Sequence, residues 1–200
     1  MAISPEELAE LRALIRSDGR NTERECQQFL HHATALMMRA TPVGDAILDQ
    51  ERRSYWGDSD YIFGATLRTD ADREEQFVSV WELKAPQCFI MERDENDRRF
   101  RPTRDLFKAE NQLLHYAYEA ERNGVLHEHF GIAKKDNVKI GGIVIGRSDT
   151  WVNSADPEIV KRAKNSFDVR SAYFYRSMGI RVMTWDHVLA FLEPPNPGHQ

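Results

Sequence analysis

Hydrophobic and polar residues alternate with two different periods along this chain, and the mixture predicts an α/β fold. Residues 77–86, FVSVWELKAP, are rich in β-branched and aromatic side chains and stop at a proline, which is typical of a strand that runs into a bend. Because side chains two residues apart share a face of a strand, Glu82 and Lys84 are predicted to follow Val78 and Val80 on one face.

A second strand-like run, residues 60–67 with the sequence DYIFGATL, precedes the first and is joined to it by a charged segment. An antiparallel hairpin with its turn near Ala71 and Asp72 would pair positions whose numbers sum to about 143. Asp60 would then lie opposite the strand end that carries Glu82 and Lys84. We therefore expect these three polar side chains to converge at one end of a sheet.

Helical spacing of apolar residues predicts three helices around this hairpin. The sequence SPEE at residues 4–7 combines a capping box with a proline at the first helical position, which predicts a short first helix. The sequence TERE at residues 22–25 predicts a second helix with an apolar stripe over residues 22–37. Thr103 is expected to cap a long helix that reaches about Arg122.

The C-terminal half alternates strand and helix, with strands predicted at residues 139–147 and 179–184 and helices after Asp156 and at residues 185–192. Residues 46–56 fit either a short helix or an edge strand. The predicted domains are an N-terminal helical arm (1–20), an α/β domain (21–193) and a flexible tail (194–200).

The overall composition gives no sign of nucleic-acid binding, because 27 Lys and Arg residues stand against 32 Asp and Glu, a net charge of −5. Any such binding must use a local basic patch, and one candidate is the polar insertion at residues 92–104. This segment fits either a solvated loop or a phosphate-binding surface. Its basic residues, with one lysine on the following helix, are Arg98, Arg99, Arg101, Arg104 and Lys108.

The low cysteine content and the absence of long apolar runs in the sequence indicate the cellular compartment. Two cysteines are too few for a disulfide framework, and no secretory signal or membrane-spanning apolar run is present. We therefore expect a reducing, cytoplasmic setting and no membrane partner.

The candidate chemistry is metal-assisted hydrolysis of a phosphodiester. A hard divalent cation takes oxygen ligands such as the carboxylates of Asp60 and Glu82, and an ammonium such as Lys84 can offset charge on a phosphate. On the long helix, Lys108, Gln112 and Tyr116 follow at steps of four and form a row. If this helix packs over the sheet, Gln112 can form a hydrogen bond near Lys84.

Asp60 followed by Glu82-x-Lys84 resembles the PD-(D/E)XK nuclease superfamily, and the pair Gln112-x-x-x-Tyr116 resembles its recombination-type branch. The first-helix sequence ERECQQFL (23–30) and the ending Thr184-Trp185-Asp186 are similar to the catalytic domain of Shedu-type antiphage defence nucleases. This resemblance covers about residues 20–193. The chain departs from the family in having Trp185 in place of the usual tyrosine and a longer insertion at 92–104.

The resemblance implies a restriction-endonuclease-like three-layer α/β/α core with a mixed central sheet. It also implies a metal-dependent DNA endonuclease or nickase, acting on duplex DNA as a homo-oligomer, often a tetramer. Mg²⁺ or Mn²⁺ would be held by Asp60, Glu82 and the Leu83 carbonyl, with Lys84 assisting and Gln112 orienting Lys84. Glu23 and Tyr116 are the accessory candidates.

Three alternatives remain open from the sequence. The chain could be a non-catalytic nucleic-acid-binding module of the same fold, or a nuclease directed at RNA. It could also be an oligomer-interaction module in which Asp60, Glu82 and Lys84 form a surface ion cluster of little energetic value.

Overall fold

A computed structural model describes residues 3–18, 22–44, 46–50, 61–94 and 99–194, with backbone alone for residues 47–50. The helices of this part are α1 (Pro5–Arg16), α2 (Glu23–Gln27), α3 (Thr34–Met38), α4 (Arg104–Ala120), α5 (Gly124–Phe130), α6 (Pro157–Arg170) and α7 (Trp185–Leu192). The strands are β1 (Ile47–Gln50), β2 (Tyr61–Arg68), β3 (Glu74–Leu83), β4 (Met91–Arg93), β5 (Phe100–Pro102), β6 (Val138–Val144) and β7 (Arg181–Met183).

Five of these strands form one mixed sheet in the order β1-β2-β3-β6-β7. β2 pairs antiparallel with both of its neighbours, β1 and β3, whereas β6 pairs parallel with both β3 and β7. Tyr61 lies opposite Trp81, so the hairpin register is within one position of the prediction, and Asp72 adopts the left-handed conformation at its turn. Residues 47–50 form an edge strand, one of the two interpretations of residues 46–56, and residues 51–56 lie outside the described ranges.

Two hydrophobic cores cover the two faces of the sheet, because side chains alternate along β3. Val78 and Val80 face the core formed with α4, α5 and α6, and Trp81 and Leu83 face the core formed with α1, α2, α3 and α7. The arrangement confirms the predicted α/β class and three-layer core. Helix α1, predicted as an arm, packs against α7 and buries Leu11 completely in the second core.

A buried polar network fastens α4 to the end of α6. Glu110 on α4 accepts two hydrogen bonds from Arg170, at 3.0 and 2.6 Å, and a third from the Tyr175 hydroxyl. Tyr175 lies in a short π-helix, Ser171–Tyr175, that continues α6. Burial, followed by the Glu110 carboxylate, raises the pKa of the Tyr175 hydroxyl, so the hydroxyl stays protonated and donates.

One prediction of local structure, a continuous second helix, is wrong. The second helix is interrupted: α2 ends at Gln27, a 3₁₀ turn follows at Leu30–Ala33, and α3 begins at Thr34. The Thr22 hydroxyl does not cap it, because it donates to Gln87 instead. The insertion at 92–104, where described, contains the β4–β5 hairpin, and its aromatic residue Phe100 is buried in the first core.

The packing of β6 against β7 leads to a stability prediction at Gly142. A Cβ at this position would lie 2.1 Å from the backbone carbonyl oxygen of Arg181, and backbone cannot move aside as a flexible side chain can. We expect Gly142→Ala to lower the free energy of unfolding by about 1–3 kcal/mol, measured by urea denaturation.

Gly124→Ala is the matched control for this measurement. A Cβ at Gly124 meets no atom within 4 Å, so we expect a change below about 1 kcal/mol, toward higher stability. Equal effects of the two substitutions would contradict the close approach of β6 and β7.

Candidate functional site

Glu82 and Lys84 lie at the C-terminal end of β3, on the same face, as predicted. The Glu82 side chain has no exposed surface, and the Lys84 side chain is 14% exposed. The Lys84 ammonium donates to Oε1 of Glu82. A carboxylate buried to this degree loses its hydration and depends on such a partner. Burial of Glu82 also excludes the interpretation of these residues as a surface ion cluster.

The backbone around Lys84 is fixed by neighbouring elements. Its N–H donates to the Val144 carbonyl on β6 at 2.8 Å, and its own carbonyl accepts from the indole Nε1 of Trp185 at 2.8 Å. Because the peptide bond is trans, the Leu83 carbonyl points opposite to the Lys84 N–H, away from β6 and toward the side of β2. The carbonyl therefore points to the β2 side of β3, two positions past the Tyr61–Trp81 pair with which the described part of β2 begins.

Asp60 directly precedes Tyr61 in the sequence and lies outside the described residues, as does Arg98. Within the ranges that are described, no group of three or more His, Cys, Asp and Glu side chains is arranged to hold a metal ion. The donors present are the Glu82 carboxylate and the Leu83 carbonyl. Both are hard oxygen ligands of the kind that Mg²⁺ and Mn²⁺ prefer, so the donor set fits such a cation.

Glu23 is brought close to the Lys84 end of β3 by contacts of the segment before α2. The Thr22 hydroxyl donates to the Gln87 side-chain oxygen at 2.9 Å, and the Gln87 amide donates to the Ser17 carbonyl at 2.7 Å. These bonds hold the start of α2 against the bend that follows β3. The accessory position predicted for Glu23 is consistent with this placement.

The pKa of the Cys88 thiol is shifted by the charged side chains around it. Burial raises its pKa to about 11, the carboxylates of Asp105 and Glu23 add to the rise, and the Lys84 ammonium opposes it. These three charged side chains therefore share one neighbourhood around Cys88.

Asp105 is the member of this neighbourhood that the sequence did not single out. It lies in the first turn of α4, where Thr103 caps the helix by accepting a hydrogen bond from the Leu106 N–H at 3.3 Å. An acid in a first helical turn is explained by the helix dipole alone, so its sequence position carried no signal of chemistry. Asp105 could have been identified only from the expected packing of α4 over the sheet, which brings the first turn of this helix toward the strand that carries Glu82.

Gln112 and Tyr116 face each other along α4, as their spacing predicted. The Gln112 amide nitrogen donates to the Tyr116 hydroxyl at 3.3 Å. Across the described part of the chain, the Gln112 side-chain oxygen is buried without a hydrogen-bond partner. Gln112 therefore bonds to Tyr116 and not to Lys84 directly, and its oxygen remains available as an acceptor.

The described basic residues of the insertion lie on the surface. Arg101 on β5 is exposed and donates to Glu92 on β4 at 2.8 Å. Arg99 precedes β5, and Arg104 begins α4, with Lys108 exposed one turn later. This surface presents cations near the start of α4, which also carries Asp105.

Comparison with known families gives one match that spans most of the chain. The model of the family described as Shedu protein SduA, C-terminal, matches residues 20–189. No curated protein matches the chain in a sequence search. None of the helices in the described ranges has the length and apolar character needed to cross a membrane.

The charges around Cys88 can be tested by its reactivity. Because alkylation requires the thiolate and the pKa is raised, the reactive fraction at pH 8 should be about 100-fold below that of a thiol that titrates near 9. Removing a nearby negative charge lowers the pKa. We therefore expect Glu23→Gln and Asp105→Asn each to speed iodoacetamide labelling of Cys88, followed by peptide mass spectrometry.

Glu92→Gln is the control for these variants, since this exposed carboxylate pairs with Arg101 and does not contribute to the pKa of Cys88. Its labelling rate should equal that of the unmodified protein. A rate unchanged by Glu23→Gln would contradict the placement of Glu23.

Proposed function

The chain belongs to the Shedu protein SduA C-terminal family, and from this premise we propose that it is a metal-dependent DNA endonuclease or nickase. Membership of this family implies a role in antiphage defence. The observation that carries the enzymatic proposal is the completely buried Glu82 carboxylate, ion-paired to Lys84 at the end of β3. A binding module needs no such pair, because affinity for nucleic acid comes from exposed cations.

The proposed cation is Mg²⁺ or Mn²⁺, with Asp60, Glu82 and the Leu83 carbonyl as its ligands. When bound, such a cation polarises the scissile phosphate and lowers the pKa of a coordinated water. The direction of the Leu83 carbonyl supports this ligand set, since it points to the β2 side of β3 and Asp60 directly precedes β2 in the sequence. Glu23 and Asp105 are proposed as accessory acids that interact through water with the same region.

Lys84 is proposed to position the attacking water or to offset charge that develops on the phosphoryl oxygens. A cation acts best in this role when its position is fixed before the reaction. The bonds of the Lys84 backbone to Val144 and Trp185 provide that fixation. The Gln112 oxygen, which is buried without a hydrogen-bond partner among the described residues, is proposed as a further acceptor that helps to orient the ammonium.

The proposed substrate is duplex DNA, held through phosphate contacts of Arg98, Arg99, Arg101, Arg104 and Lys108. The Arg101–Glu92 pair is exposed and contributes little, so a phosphate can replace Glu92 as the partner. Because the chain is acidic overall, several copies would have to pool such surfaces. We therefore propose a homo-oligomer, with a tetramer as the arrangement to test first.

Plasmid nicking tests the catalytic assignment. With Mn²⁺ or Mg²⁺, the unmodified protein should convert supercoiled DNA to the nicked or linear form. Glu82→Gln and Lys84→Met should each lower the rate by about 100-fold or more while DNA binding by gel shift remains, since the groups act on the transition state.

Lys161→Ala, an exposed lysine on α6, is the matched control and should cleave normally. DNA binding without cleavage by the unmodified protein would favour the non-catalytic alternative. Cleavage of an RNA of the same sequence, with DNA left intact, would show that the substrate is RNA rather than DNA.

Metal binding can be tested apart from cleavage by thermal unfolding. A ligand that binds the folded state alone stabilises it, by about 2.7 kcal/mol at 100 times its dissociation constant. Mg²⁺ or Mn²⁺ should therefore raise the Tm of the unmodified protein. The rise should disappear in Glu82→Gln and in Asp60→Asn, whereas Asp149→Asn, an exposed acid paired with Arg147, should keep it.

A Tm of the unmodified protein that does not respond to either cation would contradict the metal site. Loss of the response in Glu82→Gln but not in Asp60→Asn would remove Asp60 from the ligand set.

A further inference from the structure

A second polar site lies along the outer edge of β7, apart from the Glu82–Lys84 pair. The cleft there has a volume of about 510 Å³. Its cationic lining comes from three arginines on different segments: Arg39 directly after α3, Arg176 directly after the π-helix, and Arg181 on β7 itself. We call this cavity, defined by these arginines and the edge residue Val182, the arginine cleft.

The positive charges of the arginine cleft are not balanced by carboxylates. No Asp or Glu lines the cavity, and none of the three arginines forms an ion pair within the described ranges. Arg181 donates to the Leu36 carbonyl, and burial, together with the charge of Arg39, lowers its pKa. In a chain with a net charge of −5, three cations placed together indicate an anionic ligand.

Local structure fixes the backbone at two of these arginines. Arg39 has φ 56°, in the left-handed region, and is the C-cap residue that ends α3. Arg176 follows Tyr175, whose hydroxyl is bonded to the buried Glu110, so its segment is also anchored.

The free edge of β7 adds a backbone donor. β7 has one strand neighbour in the described sheet, β6, and the Met183 carbonyl accepts from the Ile145 N–H on that side. Backbone groups of alternate residues in a strand point to opposite sides, so the Val182 N–H points away from β6, toward the cleft that Val182 lines. Guanidinium and N–H donors around one cavity suit a phosphate group.

Part of the remaining wall is apolar and aromatic, and Ser171, Thr184 and His187 complete its polar part. Ile90, Trp151 and Phe167 line the same cavity, and the Trp151 ring packs edge-on against Phe167 with centroids 5.1 Å apart. A cavity of several hundred Å³ with apolar walls and a few directed polar groups is the usual form of a small-molecule site. Inorganic phosphate alone would leave the apolar part of this volume unused.

We propose that the arginine cleft binds a nucleotide, with its phosphate on the three arginines and the Val182 N–H and its base against the Trp151 wall. This proposal does not rest on nuclease activity, because the cleft lies at the β7 edge of the sheet, whereas Glu82 and Lys84 lie on the central strand β3. Two ligands share this chemistry: a free mononucleotide and a nucleotide unit within a nucleic-acid strand.

Isothermal titration calorimetry with AMP, adenosine, inorganic phosphate and a single-stranded DNA octamer tests the proposal. AMP should bind more tightly than phosphate or adenosine, because only AMP engages both the arginines and the apolar wall. Arg39→Ala and Arg176→Ala should each weaken AMP binding about 10-fold or more. Arg181→Ala is avoided, since Arg181 also holds the Leu36 carbonyl.

Arg68→Ala is the matched control, an exposed arginine at the β2–β3 turn that pairs with Asp72 and Glu74. It should bind AMP normally. Thermal unfolding of each variant checks that the fold is retained. We expect this result because Arg39 and Arg176 are exposed.

The octamer distinguishes the two sources. If AMP binds and the octamer does not compete, the ligand is a free nucleotide. If the octamer competes and its binding needs Arg39 and Arg176, the cleft holds a nucleotide unit of a strand. If AMP and the octamer both fail to bind, or bind equally well to the arginine variants, the proposal is overturned.

Discussion

The structure of this site depends on one constraint: a carboxylate with no exposed surface must be stabilised inside a folded domain. Glu82 meets this requirement through Lys84, two residues later on the same strand face. Replacing a buried ion pair with apolar residues of similar size is often neutral or stabilising, so the pair is not explained by stability. Its two charges are better explained by chemistry that needs an oxygen ligand beside a cation.

The elements around β3 each contribute to holding this pair. β6 supplies the Val144 carbonyl, and α7 supplies the Trp185 indole, so the Lys84 backbone is held from two directions. The start of α2 brings Glu23 near, and the start of α4 brings Asp105. A central strand covered on both faces can receive such contacts from several elements at once, which an edge strand could not.

Much of this arrangement could be predicted because it follows from short-range patterns. The alternation of side chains along β3 placed Glu82 and Lys84 on one face, and the hairpin turn near Asp72 gave the register to within one position. The helical spacing of Gln112 and Tyr116 likewise predicted their contact. In each case the residues are close in sequence or joined by a tight turn, so local geometry determines the outcome.

The features that could not be predicted depend on contacts between distant segments. The Thr22 hydroxyl bonds to Gln87 rather than capping α2, and no pattern near Thr22 indicates that choice. Arg39, Arg176 and Arg181 line one cleft, but Arg39 is distant in sequence from the other two, so no local pattern predicts that they meet.

The same holds for Glu110, which lies on the buried face of α4 and whose partners Arg170 and Tyr175 are distant in sequence. That network has a wider structural effect: it ties α4, which carries Asp105 and Gln112, to the segment that leads into Arg176. The two proposed sites lie at different places on the sheet, yet they share this support. The Glu110 side chain is 4% exposed, so loss of its ion pair with Arg170 would leave a desolvated carboxylate, and this cost keeps the geometry of the network. The spacing between the Glu82–Lys84 pair and the arginine cleft is therefore set by the fold rather than by surface side chains.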